Sequence, residues 1–246
     1  MKKFLSAAAV LAIASGASAG LIYSTSFESP FVVGNLNGQQ NWLADAGTVA
    51  NTAGNARTGT QYAQMTGSQI GTTAKWAWNG ATSLSAAQLA VNPIVRAGVW
   101  TAQGGNLGTR TITAGLDLYD SNVARIGLMY IGSDGSVSVL DGNGLGGSLA
   151  AGSVVVSQYH HLEIEANYSD MSVKFYIDNT LIYTGTHVSS DFGDADIRST
   201  RSSTGTGGTT YITAYDDYTI ENNAIPAPGA LALVGLGGLV AGRRRR

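Results

Sequence analysis

The stretch Tyr159 to Tyr183 constrains the fold more than any other. Leu162, Ile164 and Ala166 alternate with His161, Glu163 and Glu165, and Val173, Phe175 and Ile177 alternate with Lys174 and Tyr176. A period of two marks extended chain with one dry face and one wet face, because successive side chains on a strand point to opposite sides. Asp178-Asn179 turns the chain, and Leu181-Ile182-Tyr183 returns it; Asx residues favour such turns. The stretch reads as an antiparallel meander.

Similar patterns recur along the chain. Leu21 to Phe27 places Leu21, Tyr23, Thr25 and Phe27 on one face and ends at Glu28-Ser29-Pro30. Thr48 to Asn51 and Gln61 to Met65 read as short strands around an Arg57-Thr58-Gly59 turn, and Lys75 to Trp78 puts Trp76 and Trp78 on one face. A strand starts at Pro93 and runs through Trp100, followed by Thr111 to Tyr119 and Ala124 to Ile131. Asp134-Gly135 is a hairpin turn into Ser136 to Leu140. Asp141-Gly142-Asn143-Gly144 makes another turn, Gly146-Gly147 continues the loop, and Val154 to Val156 is a candidate strand. Tyr211 to Ile220 is the last strand, after a Gly205 to Gly208 loop. Residues 83–90 are the internal helix candidate, capped by Ser83, with a plain connection as the alternative.

About a dozen short strands with Gly and Asx turns predict an all-β sandwich. In a jelly roll the first strand and the last would lie side by side. The 33 glycines and the charged fraction of only 12% suit this reading. The chain has no cysteine, so an exported domain of this kind is held by its core, or by core plus metal.

Both ends read as targeting segments. Met1 to Ala19 has a basic start at Lys2 and Lys3, an apolar centre from Phe4 to Ala14 and a small-residue cleavage site at Ala17-Ser18-Ala19. That is the pattern of a signal peptide, with a mature chain from Gly20. At the other end stand Pro226-Ala227-Pro228, an uncharged apolar run from Gly229 to Gly242, and four arginines, Arg243, Arg244, Arg245 and Arg246. As a helix the run is about 21 Å long, short against a hydrocarbon core of about 30 Å. Arginines beyond it would stay cytoplasmic. Setting aside Lys2, Lys3 and the four terminal arginines leaves 8 of 14 basic residues against all 16 acidic ones, so residues 20–224 are near −8. Such a domain is a poor partner for nucleic acid.

The order of Pro motif, apolar helix and terminal Arg cluster resembles the PEP-CTERM sorting signal of bacterial exported proteins. The resemblance implies an exosortase-like processing enzyme as partner and transient membrane anchoring through residues 229–242. Ala227 stands where that family has its central Glu; an uncleaved tail anchor is the alternative. Within residues 20–224, Ser26-Phe27-Glu28 with a loop to Trp42, the His160 to Ile164 strand, the Phe175 to Asn179 turn and the closing Tyr215 to Ile220 resemble laminin-G and concanavalin-like jelly rolls. That resemblance implies association with polysaccharide. It also implies a structural Ca²⁺ held by Glu28, Asp216 and Asp217, oxygens of the first and last strands. The alternative is that Glu28 caps a turn and both Asp residues are solvated. Under strict alternation, Asp216 and Asp217 face opposite sides.

Other chemistry is weaker. The Asp141 turn opens like a calcium loop, but Leu145 and Gly152 stand where ligands are needed. Glu163 and Glu165 share a face and are the candidate acids of a hydrolase, with a wet-face pair as the plain reading. His160 and His161 point to opposite faces, and there is no Gly-x-Ser-x-Gly elbow. Trp76 and Trp78 are the candidate sugar-stacking platform, against the reading that they are core. Together these features predict an exported, membrane-sorted surface or matrix protein with a non-catalytic, polysaccharide-associated β-sandwich. The alternatives are a divergent glycoside hydrolase and a purely structural envelope component.

Overall fold

The computed structural model describes residues 20–45, 48–51, 56–66, 74–106, 111–201 and 210–223. In chain order the strands are β1 Gly20–Thr25, β2 Gly34–Asn35, β3 Trp42–Ala44, β4 Thr48–Asn51, β5 Tyr62–Thr66 and β6 Lys75–Asn79, followed by a short helix, α1 Ala86–Val91. Then come β7 Ile94–Asn106, β8 Ile112–Tyr119, β9 Arg125–Gly132, β10 Val137–Asp141 and β11 Gly146–Leu149. The last are β12 His160–Asn167, β13 Ser172–Ile177, β14 Thr180–Thr186, β15 Asp194–Arg201 and β16 Thr210–Asn223.

They form an all-β sandwich of two antiparallel sheets. A nine-stranded sheet runs β14-β13-β12-β7-β16-β5-β4-β2, with β1 also on β16; a seven-stranded sheet runs β11-β10-β9-β8-β15-β6-β3. The meander of residues 159–183 is β12-β13-β14, paired Ile164 to Phe175 and Phe175 to Tyr183. Its dry positions Leu162, Ile164, Val173 and Phe175 are buried, as are Leu116, Leu118 and Ile197 of the opposite sheet. Each buried side chain of this size contributes about 1.5–3 kcal/mol. Two tyrosines of β16 span the core: Tyr218 Oη donates to the carbonyl of Ala195 (2.6 Å) and Tyr215 Oη to that of Arg198 (2.5 Å). These bonds tie the central strand of one sheet to β15 of the other.

The first and last strands do lie side by side, with Ser24 opposite Thr219. β16 is shared along one edge: residues 212–215 pair with β5, and residues 218–222 with β1. At the changeover β16 bulges between Asp216 and Thr219, and Asp217 takes a left-handed backbone (φ +47°).

Several expectations are corrected. The alternation of Leu21 to Phe27 breaks at a bulge between Leu21 and Tyr23; Leu21 is 60% exposed, and Phe27 enters the core through a left-handed backbone (φ +58°). The helix begins after Ser85, not Ser83, and Gln88 Oε1 accepts the Ser85 N–H at 2.9 Å. Gly146 and Gly147 belong to a strand, whereas residues 154–156 do not. A Cβ on Gly146 would lie 2.0 Å from the Val139 carbonyl, so glycine permits the close pairing of β11 on β10. Among the described residues, no helix is long and apolar enough to cross a membrane. The expected signal peptide Met1 to Ala19, the expected loop at Gly205 to Gly208 and the expected sorting tail Pro226 to Arg246 lie outside the described residues.

Candidate functional site

On β6 the core-facing position is Ala77, so Trp76 and Trp78 both project from the outer face of the seven-stranded sheet. Neither is core, and both are half-buried. Asp45 brackets the Trp76 backbone: its N–H donates to the Trp76 carbonyl at 3.0 Å, and its side-chain Oδ2 accepts the Trp76 N–H at 3.1 Å. The neighbouring strand β15 places Arg198 opposite Trp76, and β8 places Asp117 opposite Asp196. Asp194, Asp196 and Arg198 therefore share the tryptophans' face, while Ala195 and Ile197 enter the core. A groove of about 460 Å³ results, walled by Trp76, Trp78 and Tyr119 and lined by Asp45, Asp120, Asp194 and Asp196. Its end is closed by the Asp120 loop. A Cβ on Gly193 would stand 2.6 Å from the Asp120 carbonyl, so the loop closes down only over glycine.

The floor is a charged layer. Asp117 is fully buried; it accepts Arg125 Nε (2.8 Å) and Nη2 (3.0 Å) and the Tyr119 hydroxyl (2.7 Å), with Arg198 3.8 Å away. Burial and the Asp117 charge push the Tyr119 hydroxyl up to about 12, so it stays a neutral donor. Asp194 and Asp196 form no such ion pair among the described residues, although the Arg198 charge acts on Asp196. Their carboxyl groups hydrogen-bond to each other. Burial, outweighing that bond, pushes Asp194 up to about 6. Burial and the charges of Asp194 and Asp117 push Asp196 well above the ordinary carboxyl range. Asp196 is 7% exposed, and its Oδ1 has no hydrogen-bond partner among the described residues; nor does the Trp76 indole N–H. The groove thus offers two half-buried tryptophan rings beside carboxyl groups, with the Arg198 guanidinium 5.8 Å from the Trp76 ring centroid.

This geometry predicts a stability effect of definite sign. A carboxyl with a raised folded pKa binds its proton more tightly when folded than when unfolded. Its stabilising effect is present below the unfolded value and is lost as pH rises through the folded one. Asp196→Asn mimics the protonated form at every pH. The variant is expected to match the parent near pH 4 and to exceed it by about 1–2 kcal/mol near pH 7.5, or about 2–8 °C in Tm. Thermal unfolding at both pH values checks this; an equal or lower Tm for the variant near pH 7.5 would contradict the assignment.

The other sequence-predicted residues lie elsewhere. Glu28, Asp216 and Asp217 do converge, at the changeover of β16. The bulge there overrides strict alternation, so both Asp residues reach one loop. Asp216 Oδ2 accepts the N–H of Arg57 (2.8 Å) and Thr58 (3.0 Å), and Asp217 accepts the Thr58 hydroxyl (2.7 Å) and pairs with the Arg57 guanidinium. Glu28 Oε1 accepts the N–H of Thr60 and Gln61, each at 2.5 Å, which lowers its pKa. Arg57 in turn lies 3.6 Å over the Trp100 ring. A calcium cage needs about six to eight oxygens free to point at the ion. Here the carboxylate oxygens already face N–H donors, a hydroxyl and a guanidinium. Among the described residues, no cluster of three or more His, Asp and Glu is set to hold a metal. The three carboxylates fit a clamp on residues 57–61 and do not fit a Ca²⁺ site.

Glu163 and Glu165 share the outer face of the nine-stranded sheet, remote from Trp76 and Trp78. Glu165 is buried between Lys174 Nζ (2.9 Å) and Arg96 Nε (2.7 Å). Burial works to raise its pKa, and these contacts outweigh it, so the carboxylate stays charged. This is an ion network, with Tyr176 opposite Glu163 on the same face. Asp141 accepts the N–H of Asn143 and Leu145, as a turn requires.

Sequence reasoning missed Asp117, Asp194 and Asp196. The signal was present: Asp194-Ala195-Asp196-Ile197-Arg198 alternates charged and apolar residues beside a strand, and Leu116-Asp117-Leu118 does the same.

Fold and site together define an all-β sandwich with an aromatic, carboxyl-lined groove on one outer face. No family model matches the chain, and no curated relative matches it in sequence. Its fold is similar to solved structures at low identity. One is a sialidase (10% identity, TM-score 0.54), matched over 84% of this chain and 18% of the other. Another is the Bacillus licheniformis β-glucanase (14%, TM-score 0.50), matched over 84% of this chain and 98% of the other. A third is a botulinum neurotoxin serotype D/C binding domain (9%, TM-score 0.51), matched over 82% of this chain and 48% of the other. The chain therefore spans under a fifth of the sialidase and about half of the toxin domain.

Proposed function

We propose that the sandwich is a concanavalin-like jelly roll that binds polysaccharide in the Trp76–Trp78 groove without cleaving it. The observation that carries this reading is the pairing of two outward tryptophans with carboxyl groups in one groove. Sugar rings present apolar C–H faces and equatorial hydroxyls, so they match ring faces flanked by carboxyl and indole groups. The names of two similar structures, a sialidase and a β-glucanase, agree with a glycan-associated use of the fold, though the likeness is of fold alone. On this reading the protein is exported and membrane-sorted to the surface or matrix, which rests on the two terminal segments of the sequence.

Retention of the full chain on a panel of insoluble and soluble polysaccharides, with reducing sugar assayed alongside, tests the proposal. Saturable retention without product is expected, and Trp78→Ala should weaken it at least tenfold, while Glu163→Gln leaves it unchanged. Released product would replace binding by hydrolysis. Retention indifferent to Trp78→Ala and Trp76→Ala would move the site elsewhere.

A further inference from the structure

The seven-stranded sheet turns its chain in one way at three successive hairpins. β8–β9, β9–β10 and β10–β11 are joined by tight turns whose fourth residue is left-handed: Val123 (φ +64°), Gly135 (φ +78°) and Gly144 (φ +75°). The turns at Asp120 and Asp141 match bond for bond. In each, the aspartate N–H donates to the carbonyl four residues on, and the aspartate carbonyl accepts the N–H three residues on. In each, its Oδ1 accepts the N–H groups two and four residues on. A left-handed residue at this point of a hairpin is ordinarily glycine, and a β-branched side chain is an outlier there. Nothing lies within 4 Å of a Cβ built on Gly144, so that glycine answers to the backbone alone. Val123 holds the same position with a β-branched side chain. The turn is pinned on both flanks: Asp191 accepts the Ser121 N–H (3.1 Å) and hydroxyl (2.6 Å), and the Asp120 carbonyl sits against Gly193.

Core packing does not account for the valine, which is 77% exposed. It lines the groove instead. Strand order fixes where it stands: β6 carries Trp76 and Trp78, β15 carries Asp194 and Asp196, and β8 leads into the Val123 turn. Val123 is therefore on the far side of β15 from the tryptophans, and two strand spacings, about 10 Å, separate β6 from β8. One glycan chain can touch both walls across that gap. Local strain that the fold does not require is a mark of function. We infer that Val123 is a glycan-contacting residue, an aliphatic wall opposite Trp76 and Trp78 whose isopropyl group covers the C–H face of a sugar ring. Glycine here would make the turn without strain and leave that wall bare. This deepens the proposed function and rests on it.

Calorimetric titration of the full chain with cellohexaose, laminarihexaose, xylohexaose, maltohexaose and chitohexaose, paired with thermal unfolding, tests it. On a probe that the parent binds and Trp78→Ala weakens, Val123→Gly and Val123→Asn are each expected to weaken binding about three- to tenfold. Asparagine tolerates the left-handed region, so Val123→Asn should also raise Tm by about 2–5 °C. Val123→Ile keeps both the wall and the strain; its affinity should stay within about twofold of the parent's and its Tm should not rise. Weaker binding by a more stable protein is an outcome that a merely structural turn would not give. Unchanged affinity in both Val123→Gly and Val123→Asn, on a probe that Trp78→Ala weakens, would overturn the contact and leave the groove standing. A Tm for Val123→Asn at or below the parent's would overturn the strain on which the inference rests. If none of the probes binds to protein that unfolds cooperatively, both readings fall.

Discussion

Replacing Asp117 with alanine is expected to lower stability by about 3 kcal/mol, or roughly 6–12 °C in Tm. The carboxylate is fully buried beneath the groove and joins Arg125, Arg198 and Tyr119. Breaking a buried pair costs far more than the pair contributes, because the partner charge remains. The figure sits at the low end of the usual range because the Arg125 side chain is 34% exposed and partly keeps its water. Asp117→Asn should cost less, since an amide still accepts one of the bonds. Asp117 also helps raise Asp194 and Asp196 by its charge. Either variant should therefore move the titration of that pair to lower pH. Thermal unfolding near pH 7 measures the first effect. A loss below about 1 kcal/mol would show that Arg125 and Arg198 find water or other partners once Asp117 is gone.

The contrast between two strands shows how far the sequence could be read. In β12 and β13 the dry positions are Leu162, Ile164, Val173 and Phe175, large side chains that make the period of two plain. In β15 the core-facing positions are Ala195, Ile197 and Ser199, only one of them large, so the same period is faint. That strand carries the two carboxyls on which the groove depends. Its core face is light because the tyrosines of β16 fill the space opposite and donate to its carbonyls, a compensation visible only once the sheets are stacked. Trp76 and Trp78 could be placed on one face from spacing alone. Their exposure could not, since it depends on which neighbours cover the sheet. Asp216 and Asp217 illustrate the opposite failure. Alternation separates adjacent side chains, but a bulge with left-handed Asp217 returns both to one loop, and nothing local in Tyr215-Asp216-Asp217-Tyr218 announces it.

Trp42→Ala is expected to be among the most damaging changes to the core, and its effect should reach the groove. Trp42 is fully buried; it packs tilted against Phe27 and edge-to-ring on Tyr218, each with centroids 5.2 Å away, and its indole N–H donates to Tyr23 Oη at 2.9 Å. Truncation of a buried tryptophan costs about 3–5 kcal/mol, or roughly 6–20 °C for a chain of this length. The residue is also the root of β3, the edge strand that pairs Trp42 with Asn79 and Leu43 with Trp78. Without that anchor β3 should loosen, and β6 would become an edge strand on its groove side. Glycan affinity should then fall along with Tm, although Trp42 is not itself part of the groove lining. Trp42→Phe keeps most of the packing and loses only the indole bond, so it should restore affinity nearly in full with a smaller loss of Tm. If Trp42→Ala lowers Tm while affinity measured well below that Tm is unchanged, β6 holds Trp78 without help from β3, and the groove is supported from the β15 side alone.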